Sequence, residues 1–351
     1  MKVDYIVVGL GLAGLAFTEE LLQANKSFIV FEDDSQSASL VAGGIYNPVI
    51  LKRFTPVWNA KEQLAIALPF YQKLEQKFNI KFDKKCITKK VFTSIEDQNN
   101  WFSATDKPIL SEYLDSKIDT QKIRGIIANF GFGNVNGTGS IATKKLLKTY
   151  RAFLLEEHKI RFEKFEYHQV EFQKNNIQYK DIATSKIVFC EGFGVKKNPF
   201  FKDLPIKEAK GELITIYAPD LDIDFLLKST LFVLPLENHQ YKVGATFNWK
   251  DKTSCPSEEG KQELVEKLKK VINVPYTILN QSAGIRPTVK DRRPLVGRHP
   301  KHKNLAVLNG LGTRGVMIAP TVAKQLFYHL ENNQELDSEI NIKRFDSMNI
   351  H

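Results

Sequence analysis

Cysteine is scarce: Cys86, Cys190 and Cys255 are the only three in 351 residues. They are far apart and form no CxxC pair. That argues against a disulfide framework and a cysteine-based metal site, and it fits a reducing compartment. No stretch approaches the roughly 18 apolar residues of a membrane span. The first residues hold one lysine and a short apolar run broken by glycines, which is no signal peptide. Repeats, low-complexity tracts and obvious linkers are missing too. The expectation is a soluble, cytoplasmic protein with no membrane partner. The seven histidines form no carboxylate–histidine cluster, so no metal is expected. His299 and His302 flank Pro300 in a basic turn and read as surface residues.

What is present is globular. The hydrophobic fraction is 42% and the charged fraction 26%, with 24 Phe available for cores and an apolar pocket. The length suggests about two domains. Lys and Arg number 50 against 40 Asp and Glu, a net charge of +10. Such a charge suits an acidic substrate or a nucleic acid. The lysines are scattered in pairs such as Lys84-Lys85 and Lys269-Lys270, however, and no dense polybasic block forms. Nothing in the sequence sets the oligomeric state.

Val3 to Val8 reads as a buried parallel strand. Gly9, Gly11 and Gly14 follow it, and Leu15 to Ala24 has helical periodicity. In this G-x-G-x-x-G pattern Gly9 permits a tight turn, Gly11 lets a pyrophosphate approach, and Gly14 allows close helix–strand packing. The helix N-terminus supplies the positive end of a dipole. A second strand, Ser27 to Phe31, ends at Glu32, 23 residues after Gly9, near the distance of an acid that binds an adenosine ribose. These features together indicate a dinucleotide site. Residues 35–60 do not continue as the strand–helix alternation of an NAD dehydrogenase. They carry Ser39, suited to a phosphate, and the small residues Ala42, Gly43 and Gly44 before Tyr46 and Asn47-Pro48. On physical grounds alone that stretch is equally a mobile loop.

Farther along, Lys61 to Phe78 and Ile141 to Glu156 read as helices, separated by short β-like runs and a polar stretch. Lys186 to Cys190 reads as a buried strand ending in Glu191-Gly192. Residues 211–249 have the alternation of antiparallel sheet, Glu258 to Val271 is an amphipathic helix, and Ala319 to Leu330 a last helix.

Near the C-terminus stand Ala283-Gly284-Ile285-Arg286-Pro287-Thr288, then Asp291, Pro294 and Gly297, then Asn309-Gly310-Leu311-Gly312-Thr313-Arg314-Gly315 with Ala319-Pro320 beyond. With the opening glycines and Ala42-Gly43-Gly44, this resembles the D-amino-acid-oxidase-like family of FAD-dependent oxidoreductases. Its members include glycine oxidase, sarcosine oxidase and the oxidase half of the tRNA-modifying enzyme MnmC. The Gly312–Gly315 phrase is especially similar to that of the MnmC oxidase half. The resemblance runs from Val3 to about Leu330. It implies α/β and α+β architecture: a Rossmann-like, glutathione-reductase-like FAD-binding domain interleaved with a mainly antiparallel substrate-binding domain. The corresponding boundaries are 1–80, 140–210 and 275–335 for the first, 81–139 and 211–274 for the second, and 336–351 as a peripheral tail.

The resemblance further implies noncovalent FAD, since no motif cysteine suits a covalent link. Gly192 is similar to the family's glycine at the adenosine side. Gly312, Thr313, Arg314, Gly315 and Val316 open the last helix toward the flavin pyrimidine edge. The implied chemistry is oxidation of the C–N bond of an amino acid or secondary amine, with hydride passing to the flavin, hydrolysis of the imine and reoxidation by oxygen. Arg286 and Arg314 are the expected carboxylate ligands. The alternatives are an Arg286 that braces backbone or pairs with Asp291, and an Arg314 that touches the flavin or braces its loop. Tyr46 and Tyr241 are candidates to orient the amine or carboxylate, against plain core packing. The sequence departs from the family where Pro235 is followed by Leu236 and Glu237 rather than arginine. Two further readings stay open: an MnmC-like oxidase that removes the carboxymethyl group of a modified uridine, with tRNA as partner, and a non-catalytic flavin-binding protein.

Overall fold

The computed structural model describes residues 1–35 and 37–345. Two large sheets organise the chain. The first is built on Lys2–Val8, which pairs in parallel with Phe28–Phe31 on one side and Ile182–Phe189 on the other. Leu305–Asn309 extends it in parallel beyond Ile182–Phe189. These strands are apolar almost throughout because both faces are covered. On one face lie the helices Leu12–Gln23, Thr143–Glu156 and Gly315–Asn332, which share a core with Tyr5, Val7 and Val188. The opposite face buries Ile6, Ile29 and Phe189 with Phe165, Phe201 and Leu204.

The second sheet is eight-stranded and runs, edge to edge, from Thr277–Val289 through Ile206–Tyr217, Gln240–Gly244, Phe232–Pro235 and Leu226–Lys228 to Thr88–Val91, Phe132–Val135 and Leu114–Asp119. All neighbours are antiparallel except Leu226–Lys228 and Thr88–Val91. One face packs Ile214, Leu227, Val233 and Val243 on the helix Glu258–Leu268 through Leu264 and Leu268. The other face is turned to the first sheet's helices and to a large cavity.

Three expectations change. Strand Thr277–Val289 pairs with Ile206–Tyr217 from Ile206↔Val289 to Tyr217↔Thr277, so 206–210 and 277–289 sit in the second sheet and not with 140–210 and 275–335. Continuous pairing of two long alternating strands outweighs the sequence break near residue 211. The polar stretch after Thr93 contains a helix, Ile95–Thr105. Ser94 caps it by accepting from the Asp97 amide at 3.1 Å, and Trp101 lies fully buried. Finally, 336–345 is no peripheral tail. Leu336, Ile340 and Ile342 are buried, the Val296 amide donates to Ile340 O at 3.0 Å, and Trp58 Nε1 donates to Glu339 at 2.7 Å. The rest of that segment, 346–351, lies outside the described residues.

Burial of Ile340 has a measurable consequence. Ile340→Ala is expected to destabilise the protein by about 2–5 kcal/mol. The check is a thermal unfolding midpoint several degrees lower. A shift within error would mean that the segment contributes nothing to the core.

Candidate cofactor and active site

The cavity, of about 920 Å³, lies between the two sheets. Its first end is the turn after Lys2–Val8. Gly9 has φ +92°, and a side chain there would bring Cβ to 2.7 Å from the Cys190 carbonyl oxygen. A Cβ on Gly14 would collide with the Gly9 carbonyl oxygen. Three backbones therefore meet where only glycine fits. Gly11 opens the helix Leu12–Gln23 without a side-chain cap, and Ser39 Oγ accepts from the Leu12 amide at 3.3 Å. The remaining first-turn amides are available to an anion.

Glu32 lines the cavity beside this turn. Its carboxylate accepts from the amides of Leu10 and Asp34 and meets Arg151 Nη2 at 3.2 Å. Burial raises its pKa, while Arg151 and the two amides oppose the rise. Gly192 has φ +54°, with open space where a side chain would point, and its carbonyl accepts from Asn309 Nδ2 at 2.8 Å. Next to it Glu191 is an acid whose weight the sequence does not show. Buried, it accepts from the Tyr167 hydroxyl and from Asn198 Nδ2, and desolvation pushes its pKa up to about 7. Cys190 packs against Gly14 under the turn, and burial raises its thiol pKa.

The middle of the cavity is small-residue backbone. Ala42, Gly43 and Gly44 line it, with Gly44 at φ +67° and its carbonyl accepting from the Ile141 amide at 2.9 Å. From the other side come Gly312, Thr313, Gly315 and Val316, where the helix Gly315–Asn332 begins. Gly312, at φ +60°, donates its amide to Pro287 O at 3.1 Å. The lining from Gly9 to Gly315 is thus backbone-rich, and it presents two helix N-termini and one buried acid, Glu32. It fits an extended dinucleotide of the FAD type.

At the far end stands Arg286, on strand Thr277–Val289. Its guanidinium lies over Gly211, where any side chain would collide with it. Nη1 donates to Thr246 O at 3.3 Å, and the guanidinium carbon sits 4.6 Å from the Phe247 ring centroid. It has no carboxylate partner among the described residues. Asp291, the alternative partner, is held by Arg344 at 2.9 Å. Burial lowers the Arg286 pKa to about 10, so the group stays charged at neutral pH.

Other expected site residues stand elsewhere. Arg314 caps the last helix with its backbone carbonyl, which accepts from the Met317 and Ile318 amides, and its side chain does not line the cavity. Burial, then the charge of Arg292, lowers its pKa. The Tyr46 hydroxyl donates to Asp83 at 2.8 Å, and the Tyr241 hydroxyl donates to Leu221 O. Both tyrosines are core residues outside the cavity lining, because each has its polar end satisfied away from it. His299 is buried rather than on the surface. Its Nδ1 accepts from the amides of Lys301 and His302, and burial pushes its pKa down to about 4. Among the lining residues that were missed are Lys228, Phe232, Leu213 and Phe247. Neither Leu226–Lys228 nor Phe232–Pro235 alternates in sequence, so only the pairing of Lys228 with Phe232 places those two on one face. No group of three or more His, Cys, Asp or Glu among the described residues could hold a metal ion.

Known proteins share this fold. The crystal structure of glycine oxidase from Geobacillus kaustophilus superposes with a TM-score of 0.79 over 95% of this chain and 96% of that one, at 17% identity. Glycine oxidase of Bacillus subtilis is 26% identical over 48% of this chain and 48% of its own length. The tRNA 5-methylaminomethyl-2-thiouridine biosynthesis bifunctional protein MnmC of Marinobacter nauticus is 20% identical over 92% of this chain and 54% of its own length. The chain thus spans about half the length of the curated relatives it matches. The model of FAD dependent oxidoreductases matches residues 4–329, and the chain belongs to that family.

Proposed function

We propose that this chain oxidises the C–N bond of a carboxylate-bearing amine or amino acid, with FAD bound noncovalently in the cleft between the two sheets. The observation that carries the reading is Arg286: a part-buried, uncompensated guanidinium at the far end of a dinucleotide cradle. Its planar fork matches a carboxylate in bidentate fashion. When bound, FAD supplies the hydride acceptor. The chain's own residues do the rest. Arg286 binds the carboxylate, Thr246 O and the Phe247 ring fix the guanidinium, and Leu213 and Phe232 make an apolar floor that strengthens this ion pair by keeping water off it. No strong protein base is needed if the amine enters neutral.

A second reading, action on a carboxymethylaminomethyl group of tRNA, is favoured by one observation: the match to MnmC extends over 92% of this chain. The scattered surface lysines and the +10 charge suit it without selecting it.

Two experiments test these readings. Arg286→Met is expected to retain FAD and to raise the amino-acid concentration for half-maximal anaerobic flavin bleaching. A loss of about 2–4 kcal/mol, roughly 30- to 1000-fold, is the expected size for one partner of a buried charge pair. Unchanged half-saturation would remove Arg286 from the carboxylate site. Bulk tRNA binding, measured between 50 and 200 mM salt, separates the substrates. A strongly salt-dependent affinity supports the RNA reading, and bleaching by free amino acids without tRNA binding supports the small-molecule one.

A further inference from the structure

The cavity face of the second sheet can be followed strand by strand. Lys228, Phe232, Gly244 and Leu213 stand directly opposite one another across four adjacent strands. Directly opposed residues project to one face. Two residues from Leu213 on the same strand is Gly211, with the Arg286 guanidinium above it. The residues between, Leu227, Val233, Val243 and Ile214, point the other way into the core. The floor of the cavity is therefore apolar or glycine across its middle, with one cation at each end.

Lys228 resembles Arg286 in lacking a carboxylate partner among the described residues. Its Nζ donates to the carbonyls of Ser229 at 2.7 Å and Leu231 at 3.2 Å. An ammonium has three donors, so one remains for the cavity. Burial lowers its pKa to about 8, and Lys90 and Lys267 add to the effect, so the group is still mostly protonated at neutral pH. Holding such a charge part-buried is costly unless an anion meets it.

Spacing decides what anion that is. Gly211 and Lys228 are three strands apart, about 14 Å across the sheet, and two residues out of register, about 7 Å along it, so roughly 16 Å in all. Lys228 is tied to its own loop by the two carbonyls and does not cross the floor. Two anions, each about 3 Å inside its cation, would thus stand on the order of 10 Å apart. A glycine-sized substrate meets one of them only.

We propose that Lys228 is a second anion-binding position of this cavity. The substrate is then an elongated amine with a second anionic group, on the order of 10 Å from the carboxylate held at Arg286. This rests on the amine-oxidation reading of the same site. The second anion is either a carboxylate of a free acid or a phosphate of a nucleotide.

The test uses the FAD-loaded full chain and needs no turnover. Two thioethers carry sulfur in place of the amine nitrogen and differ at the far end: (5-carboxypentylthio)acetate and (hexylthio)acetate. Titration calorimetry at pH 7 is expected to give the dianion a Kd at least about tenfold lower, the size of one charge-assisted hydrogen bond. Lys228→Met should bring the ratio of the two Kd values to about one, and Lys228→Arg should preserve it. Equal affinities in the unaltered protein, or a ratio that survives Lys228→Met, would overturn the proposal. The unaltered protein decides even if the methionine variant fails to fold. A third ligand, (5-phosphonopentylthio)acetate, separates the sources: tighter binding than the dicarboxylate points to a nucleotide, weaker binding to a free acid. Failure of amine oxidation itself would show separately, as absent flavin bleaching by any amine, with these binding ratios intact.

Discussion

Everything about the cofactor side depends on one close approach, where the Gly9 turn, the start of the helix Leu12–Gln23 and the strand end at Cys190 share a space with no room for a Cβ. The contact joins chain segments about 180 residues apart and aims the helix N-terminus into the cavity. The Cys190 amide donates to Val8 O at 2.7 Å and the Gly9 amide to Phe31 O at 2.8 Å, so the turn is pinned from both neighbouring strands. Glu32 and Glu191 then fall beside it as consequences of the parallel register, since each directly follows or nearly follows a strand paired with Lys2–Val8.

The substrate side rests on a different constraint, the pairing of Ile206–Tyr217 with Thr277–Val289. It sets Ala209 opposite Arg286 and Gly211 opposite Gly284, which opens a lane in which the guanidinium can lie flat. Gly284 is needed for a second reason: a Cβ there would stand 3.1 Å from Ala38 Cα, in the short helix Ala38–Val41 beside the cavity. The same strand thus positions a charged group and lets the first domain's loop close over it.

Much of the first sheet was legible because its signals are local. A continuous apolar run, three spaced glycines and a terminal acid occupy a single stretch of chain, and each has one physical use. The second sheet was legible in kind but not in extent, since alternation marks a strand without naming its partner. That is why 277–289 reads as part of the other domain, why Phe232 was missed although its strand was in view, and why Lys228, on the short strand Leu226–Lys228, was missed with its strand. The helix Ile95–Thr105 was hidden because its polar face dominates and its core contribution comes mainly from Trp101. Tyr46 and Tyr241 looked functional by neighbourhood, but a tyrosine hydroxyl takes whatever acceptor the core offers, here Asp83 and Leu221 O. Arg314 shows the same limit. Its place in the motif puts its backbone at the helix start, yet the lining beside the cofactor comes from Thr313 and Gly315.

The excess of positive charge is a poor guide to the site, and pairing is a better one. Lys210 is buried with Glu212 at 3.3 Å and Asp251 at 2.5 Å, and Lys90 is buried against Asp97 at 2.5 Å. Lys89 is likewise met by Asp119. In these cases the fold supplies the counter-charge itself, and the lysine needs nothing from a ligand. Arg286 and Lys228 are part-buried, and the groups around them are carbonyls, an aromatic ring and like charges. Desolvation without a counter-ion lowers the pKa of both. Two cations without a counter-ion at the ends of one cavity floor are the arrangement that an anionic ligand would complete.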